Sequence, residues 1–229
     1  MIKHWVITGD THGMNPVRAG NINRNMSEFK PEETGIIILG DAGFNFYLNK
    51  SDYKKKKLSC VYGYTFYCVR GNHEERPENI PGMVLVEDDN VKNLVWFQEE
   101  FSNIRYFVDG NEYNIGGHSA LVIGGAYSID KWYRLARAGY APEEAEIANP
   151  KKCGWFKDEC LNADEMDEIS QNVYGKSFDC FFENILSNSK SYVNGYEFIE
   201  TQIKNEWMLP LILTYSITYR TVYHRRNTV

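Results

Sequence analysis

Three short strings set chemistry-bearing side chains beside glycine: "GDTHG" at 9–13, "GDAG" at 40–43 and "RGNHEE" at 70–75. Asp10 and His12, two positions apart across a turn, can both ligate one ion. Asp41 has two oxygens and can bridge two ions, and Asn72 offers a neutral carbonyl oxygen to the second. Mixed nitrogen and oxygen ligation suits Mn²⁺, Fe, Zn²⁺ or Ni²⁺ better than it suits thiolate-selecting metals. His73 can point at a substrate instead, as a proton donor to a leaving group. Any single Gly-Asp pair is more often a plain turn. Three such strings in order need a common explanation.

The elements that must position them are strands. "HWVIT" (4–8), "IIILG" (36–40) and "TFYCVR" (65–70) are nearly continuous apolar runs, as expected of strands buried on both faces. Each runs directly into one of the three strings, and in open α/β sheets ligands bind at the carboxyl ends of strands. "VLVED" (84–88) and "ALVIGGAYS" (120–128) read as further strands, and "IRYFVDGNEYNI" (104–115) reads as a hairpin turning at Asp109-Gly110. The lysine run of "KSDYKKKKLS" (50–59) reads as a solvated helix face. "NADEMDEISQN" (162–172) predicts a helix capped by Asn162 with Glu165 three residues on. No internal repeat or low-complexity linker interrupts the first 130 residues, which read as an α/β layered domain.

Other chemistries lack their motifs. Neither GxxxxGK[ST] nor GxGxxG occurs, so a phosphate loop fails, and no GxSxG elbow is present. Cys68 lies inside an apolar strand and reads as core. The net charge of −6 argues against a broad grip on nucleic acid or anionic lipid. Five cysteines without CxxC spacing predict reduced thiols, and "MIKHWVIT" is too short for a signal peptide. "WMLPLILTYSITY" (207–219) contains Pro210 and is too short to span a bilayer. The expectation is a soluble, cytoplasmic protein.

The pattern D-x-H, G-D, G-N-H-[DE] resembles the calcineurin-like metallophosphoesterase superfamily. "VRGNHE" (69–74) looks like the protein-phosphatase form of the motif, and "GGAYSIDKWYR" (124–134) with "GWFKDE" (154–159) looks like small bacterial and phage members. The resemblance covers about residues 3–170. It implies an α/β (α+β layered) fold, a β-sandwich flanked by helices around a two-metal centre. It implies Asp10 and His12 on the first metal, Asp41 bridging, Asn72 on the second, His73 protonating the leaving oxygen and Arg70 contacting a phosphate oxygen. The implied cofactors are two divalent ions, with Mn²⁺ the first choice. The implied reaction is hydrolysis of a phosphomonoester or phosphodiester by a metal-activated water at a dinuclear site. The partner is then a phosphorylated small molecule or phosphoprotein, with no nucleic-acid or membrane surface.

The pattern breaks in the C-terminal part. The superfamily completes its site with later histidines in "strand-TH" and "GHxH" motifs, whereas this chain has histidines only at 4, 12, 73, 118 and 224. Where the first late motif is expected the sequence reads "CFFENILSNSK" (180–190). His118 reads as a turn or surface histidine, and His4 and His224 as structural or exposed. Composition shifts at the same place. The expectation is a metallophosphoesterase-like domain over 1–175 and a divergent segment over 176–229, a reading-frame change after about 178 being one origin for it. An alternative function follows: a degenerate relative with an incomplete metal site, acting as a binding module.

Overall fold

The computed structural model describes residues 1–9 and 11–183. Asp10, His224, the apolar stretch 207–219 and, of the segment after about 178 to which a frame change would apply, everything from 184 on lie outside the described residues. The chain opens as β1 (His4–Thr8), α1 (Asn15–Asn25), β2 (Thr34–Leu39), α2 (Lys50–Cys60) and β3 (Thr65–Val69). The three strands lie side by side and parallel, β1 against β2 and β2 against β3. β4 (Met83–Asp88), β5 (Asn93–Gln98) and β6 (Ile104–Phe107) extend the sheet to the order β1-β2-β3-β6-β5-β4.

Alternation along the strands sorts the core into layers. Ile36, Ile38, Phe66 and Cys68 face the layer of α1 and α2, where Ala19, Ile22 and Cys60 meet them. Ile37, Tyr67 and Val69 face the other way, as the period of two requires. There they meet a second sheet, built of β7 (Glu112–Ile115), β8 (His118–Ile123) and β9 (Cys180–Glu183) in that order. Tyr113, Ile115, Ala120, Val122 and Phe182 complete this inter-sheet core. The outer face of the second sheet, Leu121 and Ile123, is covered by Met166, Ile169 and Val173 of α5 (Ala163–Val173). The result is helices, sheet, sheet, helix: a layered β-sandwich flanked by helices.

Several expectations meet their outcome here. Asn162 and Glu165 cap α5 reciprocally, each side chain taking the other's backbone N–H at 2.9 and 2.7 Å. The strand at 84–88 is β4. The hairpin over 104–115 does not form: β6 belongs to the first sheet and β7 to the second. Phe107 and Tyr113 both belong in the inter-sheet core, so the chain crosses between sheets instead of folding back in one. The crossing needs Gly110 at φ +79°, where a side chain would also run into Ile169. The lysine face of α2 is solvated at Lys54 and Lys57, but Lys56 is buried, donating to Gln98 Oε1 at 3.0 Å. β9 pairs parallel with β8, so the second sheet continues past residue 175 to 183. Two short helices, α3 (Lys131–Arg137) and α4 (Pro150–Cys153), fold over Leu135, Cys153 and Trp155 in a small core of their own. Among the described residues, no helix is long and apolar enough to cross a membrane.

Candidate metal centre

Because β1, β2 and β3 are parallel neighbours, the loops that follow them emerge at one edge of the sandwich. The first two loops are joined through backbone: the His12 N–H donates to the Asp41 carbonyl at 2.8 Å, and the Gly13 N–H to that of Ala42 at 3.0 Å. Asn15 reinforces the join by donating to the same Ala42 carbonyl at 2.7 Å. His12 and Asp41 both adopt left-handed backbone, at φ +44° and +46°. Such conformations cost free energy and persist where surrounding contacts over-determine them.

The third loop closes on the second. The His73 N–H donates to Asp41 Oδ1 at 2.9 Å, and His73 Nδ1 lies 3.4 Å from Asp41 Oδ2. Gly71 permits this approach, because a Cβ there would overlap the Asp41 carboxylate. One ligand atom each from His12, Asp41 and His73 then lie within 4.8 Å of one another. Two imidazole nitrogens and a carboxylate oxygen make a donor set suited to a divalent transition cation. The gradient of exposure supports the fit: Asp41 is buried, His73 half-buried and His12 exposed, so the carboxylate sits at the floor and the cluster opens to solvent. A buried carboxylate that meets a cation offsets its own desolvation.

Asn72 is buried beside this cluster, and its orientation comes from residues far along the chain. Its Nδ2 donates to Ser128 Oγ at 2.8 Å. Ser128 in turn donates from N and Oγ to the two oxygens of Glu159, at 2.9 and 2.6 Å. With Nδ2 so engaged, Oδ1 is the amide atom available to an ion. Burial pushes the Glu159 carboxyl up, against the hydrogen bonds from Ser128 that hold it down.

Arg70 occupies a different place from the phosphate contact expected of it. It is buried, and its Nε and Nη2 donate to Asp109 Oδ2 at 3.1 and 3.0 Å. Its Nη1 donates to the Glu159 carbonyl at 2.7 Å and Nη2 to that of Gly124 at 3.1 Å. The guanidinium therefore ties the β3 loop to the two segments that carry Ser128 and Glu159. Arg76 does the same nearby, donating to the carbonyls of Asp158 and Cys160 and to Glu165.

Two further groups touch the cluster. Glu74 is fully buried, accepting from the Gly71 N–H at 3.2 Å and the Tyr106 hydroxyl at 2.8 Å. Burial, with the Asp41 charge beside it, pushes its carboxyl up to about 7. Arg134, on α3, brings Nη2 to 3.2 Å from His73 Nε2. Burial holds the His73 imidazole below its ordinary value, with the Asp41 carboxylate opposing and the Arg134 charge adding to the effect. Ser128, Arg134 and Glu159 were not singled out from sequence, although they stand in "GGAYSIDKWYR" and "GWFKDE". Glu74 follows His73 directly in "RGNHEE", and only its burial distinguishes it.

The remaining described histidines lie elsewhere. His118 opens β8 beside Asp179, with Nδ1 3.8 Å from Oδ2, and His4 stacks on Phe29 at 4.4 Å between ring centroids. Cys68 is fully buried in β3, where burial pushes its thiol well up, in line with a core role.

The calcineurin-like phosphoesterase family model matches residues 4–191. Comparison with curated proteins and with solved structures gave no match. The match begins with β1, takes in all three strand-end strings and runs beyond β9, so it covers both sheets and the whole cluster. The chain belongs to the calcineurin-like phosphoesterase family, hydrolases of phosphoric esters that bind divalent metal ions.

Proposed function

We propose that the chain hydrolyses a phosphomonoester in the cytoplasm, using two divalent ions, Mn²⁺ first among them, held by Asp10, His12, Asp41 and Asn72. The observation that carries this reading is the convergence of His12, Asp41 and His73 within 4.8 Å at the ends of adjacent parallel strands. When bound, the ions supply positive charge at the phosphoryl oxygens and lower the pKa of the attacking water. Asp41, with its two carboxylate oxygens, would hold both ions, and the Ser128–Glu159 pair turns the Asn72 carbonyl to serve one of them.

His73 is the proton donor. The Asp41 carboxylate beside Nδ1 orients the ring, so Nε2 is the atom that meets the leaving oxygen as its bond to phosphorus breaks. Arg70 acts as a positioning residue that fixes the wall carrying Ser128 and Glu159. The protein-phosphatase form of "RGNHE" favours monoesters, phosphoproteins included, over diesters.

The test is hydrolysis of p-nitrophenyl phosphate and its bis-ester by purified protein, with and without Mn²⁺, alongside metal analysis. About two ions per chain with Mn²⁺-stimulated turnover of the monoester is the expected result. No turnover of either ester under any divalent metal overturns the reading. One observation favours a second reading, a degenerate relative that binds without turnover: among the described residues, His12 and His73 are the only histidines at the cluster. One ion or none, with no hydrolysis, supports it.

A further inference from the structure

We propose that Arg134 contacts the phosphoryl group of the substrate, an inference that rests on the hydrolase reading and adds a residue to its site. A tetrahedral phosphate needs a cationic, multidentate partner besides the metal ions, and Arg70 is committed inside the protein. Arg134 meets the requirement in three respects.

Its Nη2 already stands 3.2 Å from His73 Nε2, the atom assigned to the leaving oxygen, so it reaches the place where the phosphoryl group must lie. The guanidinium is also held from behind. Nε donates to Asp130 Oδ2 at 2.7 Å and Nη1 to the Gly154 carbonyl at 2.9 Å, so little ordering is left to be done on binding. The side chain is 20% exposed, which keeps one edge in reach of a ligand.

The donor chemistry sets the direction of exchange. An arginine N–H facing an imidazole nitrogen can only meet its lone pair, since arginine does not deprotonate. An anionic phosphoryl oxygen is a stronger acceptor than a neutral ring nitrogen, and the planar fork matches its geometry. A bound phosphate therefore takes the Nη2 hydrogen bond and frees the His73 Nε2 lone pair, which takes up a proton from solvent before giving it to the leaving oxygen. The competing account is that Arg134 merely ties the 128–134 turn to Gly154. A lysine separates the two, keeping charge and reach while losing the fork.

The experiment is equilibrium dialysis of inorganic phosphate against Mn²⁺-loaded wild type, Arg134→Gln and Arg134→Lys. Metal content and melting temperature are measured on each, and steady-state kinetics on p-nitrophenyl phosphate accompany them. For Arg134→Gln, phosphate binding weakens about 10- to 100-fold, the loss of a charge-assisted hydrogen bond. KM rises in step, metal content stays the same, and Arg134→Lys recovers part of the loss. If Arg134→Gln does not fold, Arg134→Lys and Asp130→Asn, which releases the anchor, carry the same comparison with smaller losses.

Phosphate affinity equal to wild type in these variants, or a wild type that does not bind phosphate, overturns the proposal. Phosphate binding that depends on Arg134 in a protein that turns over no ester sustains it while the hydrolase reading fails.

Discussion

One wall of the candidate centre, the loops at 11–13, 40–43 and 71–73, is held mainly by main-chain donors. The facing wall, 124–134 with 154–165, is held by side chains. In the first, main-chain hydrogen bonds join loop to loop, and His12 and Asp41 sit in left-handed conformations. In the second, Arg70, Arg76 and Arg134 reach across sequence to hold carbonyls and carboxylates, and the Glu159 carboxylate accepts from Ser128. A backbone-built wall fixes donor positions to within fractions of an ångström but tolerates no added atoms. A side-chain-built wall can be loosened by degrees, which makes it the place where orientation and specificity are set.

Asp41 belongs to the first wall and separates most sharply from the rest. Asp41→Ala removes the carboxylate between His12 and His73 and should lower the proposed phosphoesterase activity about a thousandfold or more, several kcal/mol of transition-state stabilisation. Metal analysis should show the ions lost as well, and retention of the full metal complement would remove Asp41 from the ligand set. Gly71→Ala comes next. Its Cβ collides with the Asp41 carboxylate and backbone, so stability should fall by about 2–4 kcal/mol in a denaturant melt, with metal binding lost alongside. A melt unchanged from wild type would mean that the wall yields more than its hydrogen bonds imply.

The second wall should give smaller, graded effects. Ser128→Ala and Glu159→Gln should each weaken metal binding about 10- to 100-fold in a competition titration, with the fold intact, because both act through the Asn72 amide. Equal affinity in both variants would detach Asn72 from the metal. The smallest effect concerns Glu165. Burial alone would raise its carboxyl, but hydrogen bonds from Arg76 and the Asn162 N–H win and hold it below the usual carboxylate range. A carboxyl lowered on folding contributes stability above its unfolded value, near 4.5, and loses it as pH falls through the folded value. With a partly solvated pair the contribution is under about 1 kcal/mol. Glu165→Gln should therefore lower stability slightly above pH 4.5, flatten the acid limb, and leave stability unchanged only at pH well below the folded value. A parallel downward shift at every pH would assign the effect to packing.

The same division explains how much was legible in the sequence. β1, β2 and β3 carry long apolar runs that end abruptly in glycine, a local pattern with a local cause, and the α5 capping box is equally self-contained. The hairpin expected over 104–115 fails because Asp109-Gly110 marks a turn without saying where the strand beyond it goes. That destination is decided by the demand of Phe107 and Tyr113 for one shared core. α1, α3 and β5 carry weaker patterns and were not read from the sequence, their form being set by what they pack against. Arg70 illustrates the limit for single residues. A motif says that an arginine precedes Gly71, but burial and the positions of Asp109, Gly124 and Glu159 decide what its guanidinium holds.

By itself the sequence determined the family, the three strand-end strings and the donor types Asp41, His12, Asn72 and His73, because short-range spacing and turn chemistry suffice for these. Only the tertiary structure decided that Arg134 stands at His73, that Ser128 and Glu159 orient Asn72, and that Arg70 serves the frame. These pairings join residues 31 to 89 positions apart. No local pattern encodes such separations: they follow from which layers the two sheets bury against each other and which loops are brought to the same edge.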